Sequence, residues 1–238
     1  MELLVTESYS VILLKVLIGL LLGYIIATLV ESFIHQYVFH AKWKCLIKWK
    51  RYPYLFEYLI RTYYSHHVVH HCRTYKQNFV TQFRNFQEQQ ELDKELEAKG
   101  KDGQNIKNSG YGVKLHGFGA IVFISPLLPG IPLTLTLLGT SGLYGGLLAM
   151  VLPALLTNFV HPYLHMPHEK AVSSAPFPLS LLLQTNYFRV IARNHFLHHR
   201  YIMCNFNLLL GGDILRGVSL KPNEKDFDEM RRAGIRLD

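Results

Sequence analysis

The chain has 238 residues, enough for one domain and too few for two comfortable ones. Apolar residues make up 49% and charged residues 18%, which excludes a disordered chain. Three cysteines, Cys45, Cys72 and Cys204, are odd in number and lack CxxC spacing, which excludes a disulfide framework. The net charge of +8 gathers on no soluble basic module, so no nucleic-acid partner is expected.

Val11–Val30 is apolar apart from Lys15. Twenty helical residues at ~1.5 Å each reach ~30 Å, the thickness of a hydrocarbon core, and Lys15 lies near enough to one end to snorkel. No basic residue precedes this run and no small-residue cleavage site follows it, which argues against a signal peptide. Residues 117–160 then run for 44 positions without a charge. Thr140-Ser141-Gly142 divides them into two further spans, Phe118–Leu138 and Leu143–Val160, read as a hairpin. Pro126, Pro129 and Pro132 make its first arm irregular. Between the first span and this hairpin, Asn85–Gly110 reads as a polar insert, a solvated helix at Gln87–Lys99 followed by a Gly/Asn/Lys loop. Lys221–Asp238 reads as a charged tail.

Charge orients these spans. Residues 1–10 carry two acids and no Lys or Arg, residues 41–116 carry 14 Lys and Arg against 7 Asp and Glu, and residues 161–238 carry 10 against 7. The positive-inside rule places both long polar segments in the cytoplasm and the N-terminus outside. Lys42–Lys44 and Lys48–Tyr52 read as an aromatic and basic interfacial anchor. The expected fold is all-α, multi-pass membrane helices with a cytoplasmic helical cap.

Ten of thirteen histidines form four groups. His35 and His40 follow the first span as HxxxxH. His67, His70 and His71 form HxxHH, His161 and His165 form HxxxH, and His195, His198 and His199 repeat HxxHH. Positions i, i+3 and i+4 share a helical face, so each HxxHH aims three imidazoles one way. His35 and His40, five apart, lie about 140° apart on a regular helix, so they grip from opposite sides or the helix loosens there. Buried imidazoles without partners are costly, and a metal resolves this by taking neutral imidazole. One transition metal takes about four to six ligands, so ten histidines imply two ions. Groups spread so widely along the chain are unlike a compositional His-rich buffering tract. Glu31, one turn before His35, Asn158, three before His161, and Asp213, after the last group, are candidates to orient the ligands. His168 is a candidate substitute ligand, and His116 lies outside every group.

These four ordered motifs resemble the boxes of the fatty acid hydroxylase/sterol desaturase superfamily, the histidine-rich di-iron membrane oxygenases. Glu31–His40, His161-Pro162-Tyr163-Leu164-His165 and Asn207–Asp213 are locally most similar to fatty acid 2-hydroxylases, with Gln36 where that family often has arginine. The resemblance covers roughly 31–71 and 155–216. It implies two iron ions and O2 as co-substrate, with hydroxylation of a C–H bond of a lipid, a fatty acyl chain, a sterol or a similar apolar molecule. Desaturation by the same superfamily and a non-catalytic metal-binding membrane protein are the alternatives. No haem, ferredoxin or dinucleotide motif and no fused cytochrome b5-like domain occurs in the sequence. A separate electron donor, cytochrome b5-like or ferredoxin-like, is therefore implied. The implied location is the endoplasmic reticulum membrane in a eukaryote or the inner membrane in a bacterium.

Overall fold

The computed structural model describes residues 8–112, 114 and 118–237. It is all-helical, with no strand among the described residues beyond an isolated bridge between Asn78 and Thr81. The helices in chain order are α1 (Tyr9–Ile34), α2 (Trp43–Arg51), α3 (Pro53–Tyr63), α4 (Phe86–Glu97), α5 (Lys101–Asn108), α6 (Phe118–Ile124), α7 (Gly130–Met150), α8 (Leu152–Leu155), α9 (His161–Leu164), α10 (His168–Ser174), α11 (Leu179–Leu183), α12 (Asn186–Tyr201), α13 (Gly212–Leu215) and α14 (Glu224–Arg232). Three π-helical segments, His35–Phe39, Tyr64–Arg73 and Leu156–Val160, interrupt this series, and each contains or adjoins a histidine group.

Two stretches are long and apolar enough to cross a membrane, Tyr9–Phe39 and Gly130–Leu164. The second is not one rod. At Gly139 the backbone leaves the helical region with φ 69°, a conformation that glycine adopts without strain. A Cβ added at Gly146 would lie 3.0 Å from Thr134 Cγ2, and one at Gly130 would lie 2.8 Å from the Met150 methyl. Residues 130 and 150 of a straight helix would be ~30 Å apart, so the chain folds back on itself. The reversal expected at Thr140-Ser141-Gly142 is made at Gly139, just before it.

Helix α1 packs along this hairpin through glycines. A Cβ at Gly19 would stand 1.9 Å from the Gly142 carbonyl oxygen, and one at Gly23 would stand 2.4 Å from that of Gly146. Two small-xxx-small faces, Gly19/Gly23 and Gly142/Gly146, therefore meet backbone to backbone, the packing used where lipid replaces water as the solvent. The register 19 to 142 and 23 to 146 makes α1 and the second arm parallel. Both consequently deliver their histidines, 35/40 and 161/165, to the same end of the bundle, and the Gly139 reversal lies at the other. Leu13, Leu17 and Leu21 of α1 remain more than half exposed. Gly19→Val would force its branched side chain into the Gly142 backbone. We expect it to destabilise the bundle by about 3 kcal/mol, the upper range for overpacking, and to lower the detergent-solubilised melting temperature. Leu21→Ala, on the exposed face, should leave that temperature near wild type.

The insert is more structured than its polarity suggests. The expected loop at Gly100–Gly110 contains helix α5, and α4 and α5 bury Leu92, Leu96 and Ile106 against Val69 and Tyr111. Asn85 caps α4 by accepting from Glu88 N at 2.9 Å. Arg61–Asp102 (2.9 Å) and Arg73–Glu95 pairs then fasten the insert to the helix that carries the second histidine group. The expected charged tail contains α14, opened by a capping box between Asn223 and Asp226. Asp226 is buried and accepts from Tyr201 Oη at 2.8 Å and Arg200 Nε at 3.0 Å, while Met230 enters the main core. Of the apolar stretch 177–191, Leu183, Phe188 and Ile191 are core, whereas Phe177 and Leu181 are exposed.

Candidate metal centre

The π-helical turns decide which histidines meet. Backbone N–H of His40 donates to the His35 carbonyl at 3.1 Å, a five-residue link, so His40 sits one turn above His35. Their rings stack at 5.3 Å with an interplanar angle of 15°. The loosened helix is how a pair five residues apart comes to share one face. The same widening over Tyr64–Arg73 brings His66 to His71, with 3.1 Å between their Nε2 atoms.

Two groups of imidazoles result, each with its ligating nitrogens within 4.8 Å of one another: His35, His40, His66, His71 and His198, and His70, His165, His195 and His199. His161 joins the second through its Nε2, 3.1 Å from that of His195. Within the first, Nε2 of His66 lies 2.9 Å from that of His35, and Nε2 of His40 lies 3.1 Å from that of His198. Within the second, Nε2 of His195 lies 3.0 Å from that of His165, and Nε2 of His199 lies 3.2 Å from that of His70. The two groups adjoin, since the His71 and His199 rings stack at 4.0 Å. The second and fourth boxes each serve both groups: His71 and His198 face one, His70, His195 and His199 the other.

The outward nitrogens fix the tautomers. Nδ1–H of His35 donates to the Phe206 carbonyl at 2.6 Å, that of His198 to the Cys204 carbonyl at 2.9 Å, and that of His165 to the Phe79 carbonyl at 3.0 Å. Each leaves its Nε2 lone pair aimed inward, as an imidazole ligand requires. For His40 the place of the carbonyl is taken by His67, whose Nδ1 lies 2.9 Å from the His40 Nδ1. The sequence expectation named His67 as a ligand; in the structure His66 stands in the first group, and His67 stands behind His40.

Burial sets the charge. It pushes the His198 imidazole down to about 4, and pushes His40, His66, His70, His71, His165, His195 and His199 well below the usual histidine range, with their mutual repulsion as the next cause in most. At neutral pH these imidazoles are uncharged, the form that binds metal. Nδ1 of His70 and of His71 is buried without a hydrogen-bond partner. So many buried, neutral, mutually facing nitrogens fit a pair of transition-metal ions. Two ligands at right angles on one ion, each ~2.1 Å from it, stand ~3.0 Å apart, which is the spacing of the facing Nε2 pairs.

Glu31 is turned toward the segment after the last box. Its carboxylate accepts from Leu208 N and Leu209 N, both at 3.0 Å, and from Asn207 Nδ2 at 2.9 Å. Asp213 accepts from Ser32 Oγ at 2.5 Å and Asn207 N at 2.7 Å. Burial pushes its carboxyl up, opposed by these hydrogen bonds and by Arg216. Together with Tyr24 and Thr28, whose hydroxyls donate to Leu210 O and Leu209 O, these residues bind segment 206–213 along one face of α1. A Cβ on Gly212 would lie 2.2 Å from the Thr28 carbonyl oxygen, so glycine permits this close approach. Glu31 and Asp213 thereby hold the Phe206 carbonyl over His35. Gln36 accepts from Arg216, which also donates to Ser32 Oγ at 2.6 Å.

The other sequence candidates fall elsewhere. Asn158 is half-buried in the third π-helical segment, three residues before His161. His168 lies outside both groups, 6.2 Å from the Phe188 ring. His116 lies outside the described residues. Sequence reasoning missed His66, and it also missed Tyr75, which has φ 55° and stacks on the His165 ring at 4.0 Å.

A cavity of about 30 Å³ opens between the groups, lined by His35, His66, His161, His195, Phe39 and Phe123 with Glu31, Thr157 and Leu208. A cavity of this size has room for a small molecule, since one water needs about 10–15 Å³ of such space. Phe123 also walls a second cavity of about 200 Å³, lined by apolar side chains of α6, α7 and α8 among them Ile131, Leu147 and Met150. No protein-family model, no curated protein and no solved structure matches the chain.

Proposed function

We propose that the protein is a membrane-embedded, O2-dependent di-iron oxidoreductase that hydroxylates a C–H bond of a lipid. The observation that carries this reading is the pair of buried, neutral imidazole groups facing one small cavity, with an apolar cavity directly behind it. His35, His40, His66, His71 and His198 would hold one ion, and His70, His161, His165, His195 and His199 the other. Nitrogen spacings near 3.0 Å suit ligands at right angles better than the ~3.4 Å of a tetrahedral zinc site, a geometry open to iron, the metal that the family resemblance implies. Iron bound there supplies reduction of O2 and insertion of an oxygen atom into an unactivated C–H bond.

The chain's own residues supply the setting. Phe39, Phe123 and Leu208 give the small cavity its apolar wall, and the carbonyls of Phe206, Cys204 and Phe79 hold the imidazoles in their ligating tautomer. Phe123 stands between that cavity and the apolar one, whose walls suit an alkyl chain entering from a bilayer. In this reading α1 and the two hairpin arms span the membrane, and the histidine-bearing ends face the cytoplasm, the more basic side. Electrons then reach the site from a separate donor protein.

Two irons per chain are expected after anaerobic loading with Fe(II), together with O2 consumption when a chemical reductant is supplied. Lipid extracts from cells making the active protein should contain an apolar species richer by one oxygen atom. A species poorer by two hydrogens would identify a desaturase instead. One ion or none in folded protein, or two irons that never consume O2, would overturn the reading.

A further inference from the structure

The small cavity has one polar wall that the histidines do not account for. Among the described residues, the buried threonines otherwise commit their hydroxyls: Thr28 donates to Leu209 O at 2.5 Å, Thr62 to Tyr58 O at 2.8 Å, Thr74 to His70 O at 2.7 Å and Thr134 to Gly130 O at 2.7 Å. The last three are bonds to the carbonyl four residues earlier, the usual refuge of a helical threonine. Thr157 is 9% exposed and lines the cavity, yet its hydroxyl makes no hydrogen bond within the chain. It sits in the π-helical turn Leu156–Val160, directly after Pro153 and α8. The widened turn changes the register in which a side chain meets the preceding carbonyls, and such turns gather at functional sites.

The rest of the wall offers no other hydroxyl. The Glu31 carboxylate is occupied by Asn207, Leu208 and Leu209, and Phe39, Phe123 and Leu208 present carbon. The Nε2 atoms of His35 and His66, and those of His161 and His195, face one another in pairs. A buried hydroxyl without a partner costs free energy unless something in the cavity accepts from it.

We propose that Thr157 is the hydrogen-bond donor that holds a small metal-bound ligand in this cavity, a dioxygen-sized molecule or an anion such as azide. This rests on the reading of the two imidazole groups as metal sites. The side chain neither ligates nor transfers an atom. It points an O–H at the ligand atom that carries negative charge, and its methyl group completes the apolar wall. Val at this position keeps the shape and removes the donor, whereas Ser keeps the donor.

The test uses the full-length iron-loaded protein in its oxidised form, with azide as the probe. Wild type and Thr157→Ser should bind azide within about threefold of each other. Thr157→Val, with both irons retained, should bind it about tenfold more weakly, as loss of a hydrogen bond to a charged acceptor implies. The azide stretching band should shift between H2O and D2O in wild type and Thr157→Ser, and should stay fixed in Thr157→Val. Equal azide affinity in Thr157→Val, or an unshifted band in wild type, would overturn the proposal. So would loss of iron in Thr157→Val, since the residue would then serve the site's structure. A wild-type protein that takes up no iron would instead overturn the metal reading itself.

Discussion

If each imidazole group holds a metal ion, as proposed, replacing His66 by alanine will cost the protein one of the two, whereas replacing its neighbour His67 will leave both in place. His66 Nε2 lies between two other ligating nitrogens, 2.9 Å from that of His35 and 3.1 Å from that of His71. Its loss removes the middle member of the first group. His67 meets only the outward nitrogen of His40. Its loss removes an orienting partner, a change worth about 10–100-fold in metal affinity. Metal analysis of purified variants should therefore give about one iron per chain for His66→Ala. His67→Ala should still give two under saturating iron, with easier loss to a chelator. The regular-helix reading of the motif demands the opposite order, so a single pair of variants separates the two. His198→Ala should resemble His66→Ala, because His198 belongs to the same group and its Nε2 faces that of His40 at 3.1 Å.

That pair of residues also shows how far the sequence could be read. Apolar runs and charge asymmetry mark α1 and the hairpin, since bilayer thickness and backbone satisfaction leave few alternatives. The boxes stand out for the same kind of reason, as i, i+3 and i+4 share a face. On α12, a regular helix, His195, His198 and His199 all reach the site. At Tyr64–Arg73 the rule picks His67, and the five-residue period of the π-helix brings in His66 instead. Nothing local announces that change of period. At the first box, by contrast, the five-residue spacing of His35 and His40 itself left a loosened helix as one of two readings.

Partners distant in the chain were less legible. Tyr24, Thr28, Glu31, Ser32 and His35 form a polar stripe along α1, visible as a face, yet Thr28 and Ser32 meet partners 181 residues away. Glu31 was singled out for its nearness to His35, but the geometry gives it the 206–209 segment to hold. Helices α5 and α14 were hidden by their charge. Each buries only a few apolar positions, Ile106 in one and Met230 in the other, too few to rise above a polar background.

Stripped of metal, the protein should lose stability steeply as pH falls below about 6.5. His198 is pushed by burial down to about 4, and His40, His66, His70, His71, His165, His195 and His199 are depressed well below their usual range. Below the unfolded histidine value of about 6.5 the unfolded chain binds protons that the folded chain refuses, so stability falls as pH falls. The loss begins at that value and continues down to each folded value, about 4 for His198. Each such imidazole contributes a slope of up to about 1.4 kcal/mol per pH unit. Several acting together approach the whole stability of a typical domain, about 5–15 kcal/mol, within one or two pH units. The chelator-treated protein in micelles should therefore open cooperatively between about pH 6.5 and 5, with uptake of several protons in one step. A metal-loaded protein should resist to lower pH, because bound metal holds the imidazoles neutral until protons displace it, and metal release and proton uptake should then coincide. Melting temperature against pH, with and without chelator, reads both curves. A metal-free protein equally stable at pH 7 and pH 5 would mean that these imidazoles are neither buried nor facing one another, and the dinuclear centre built on them would fall.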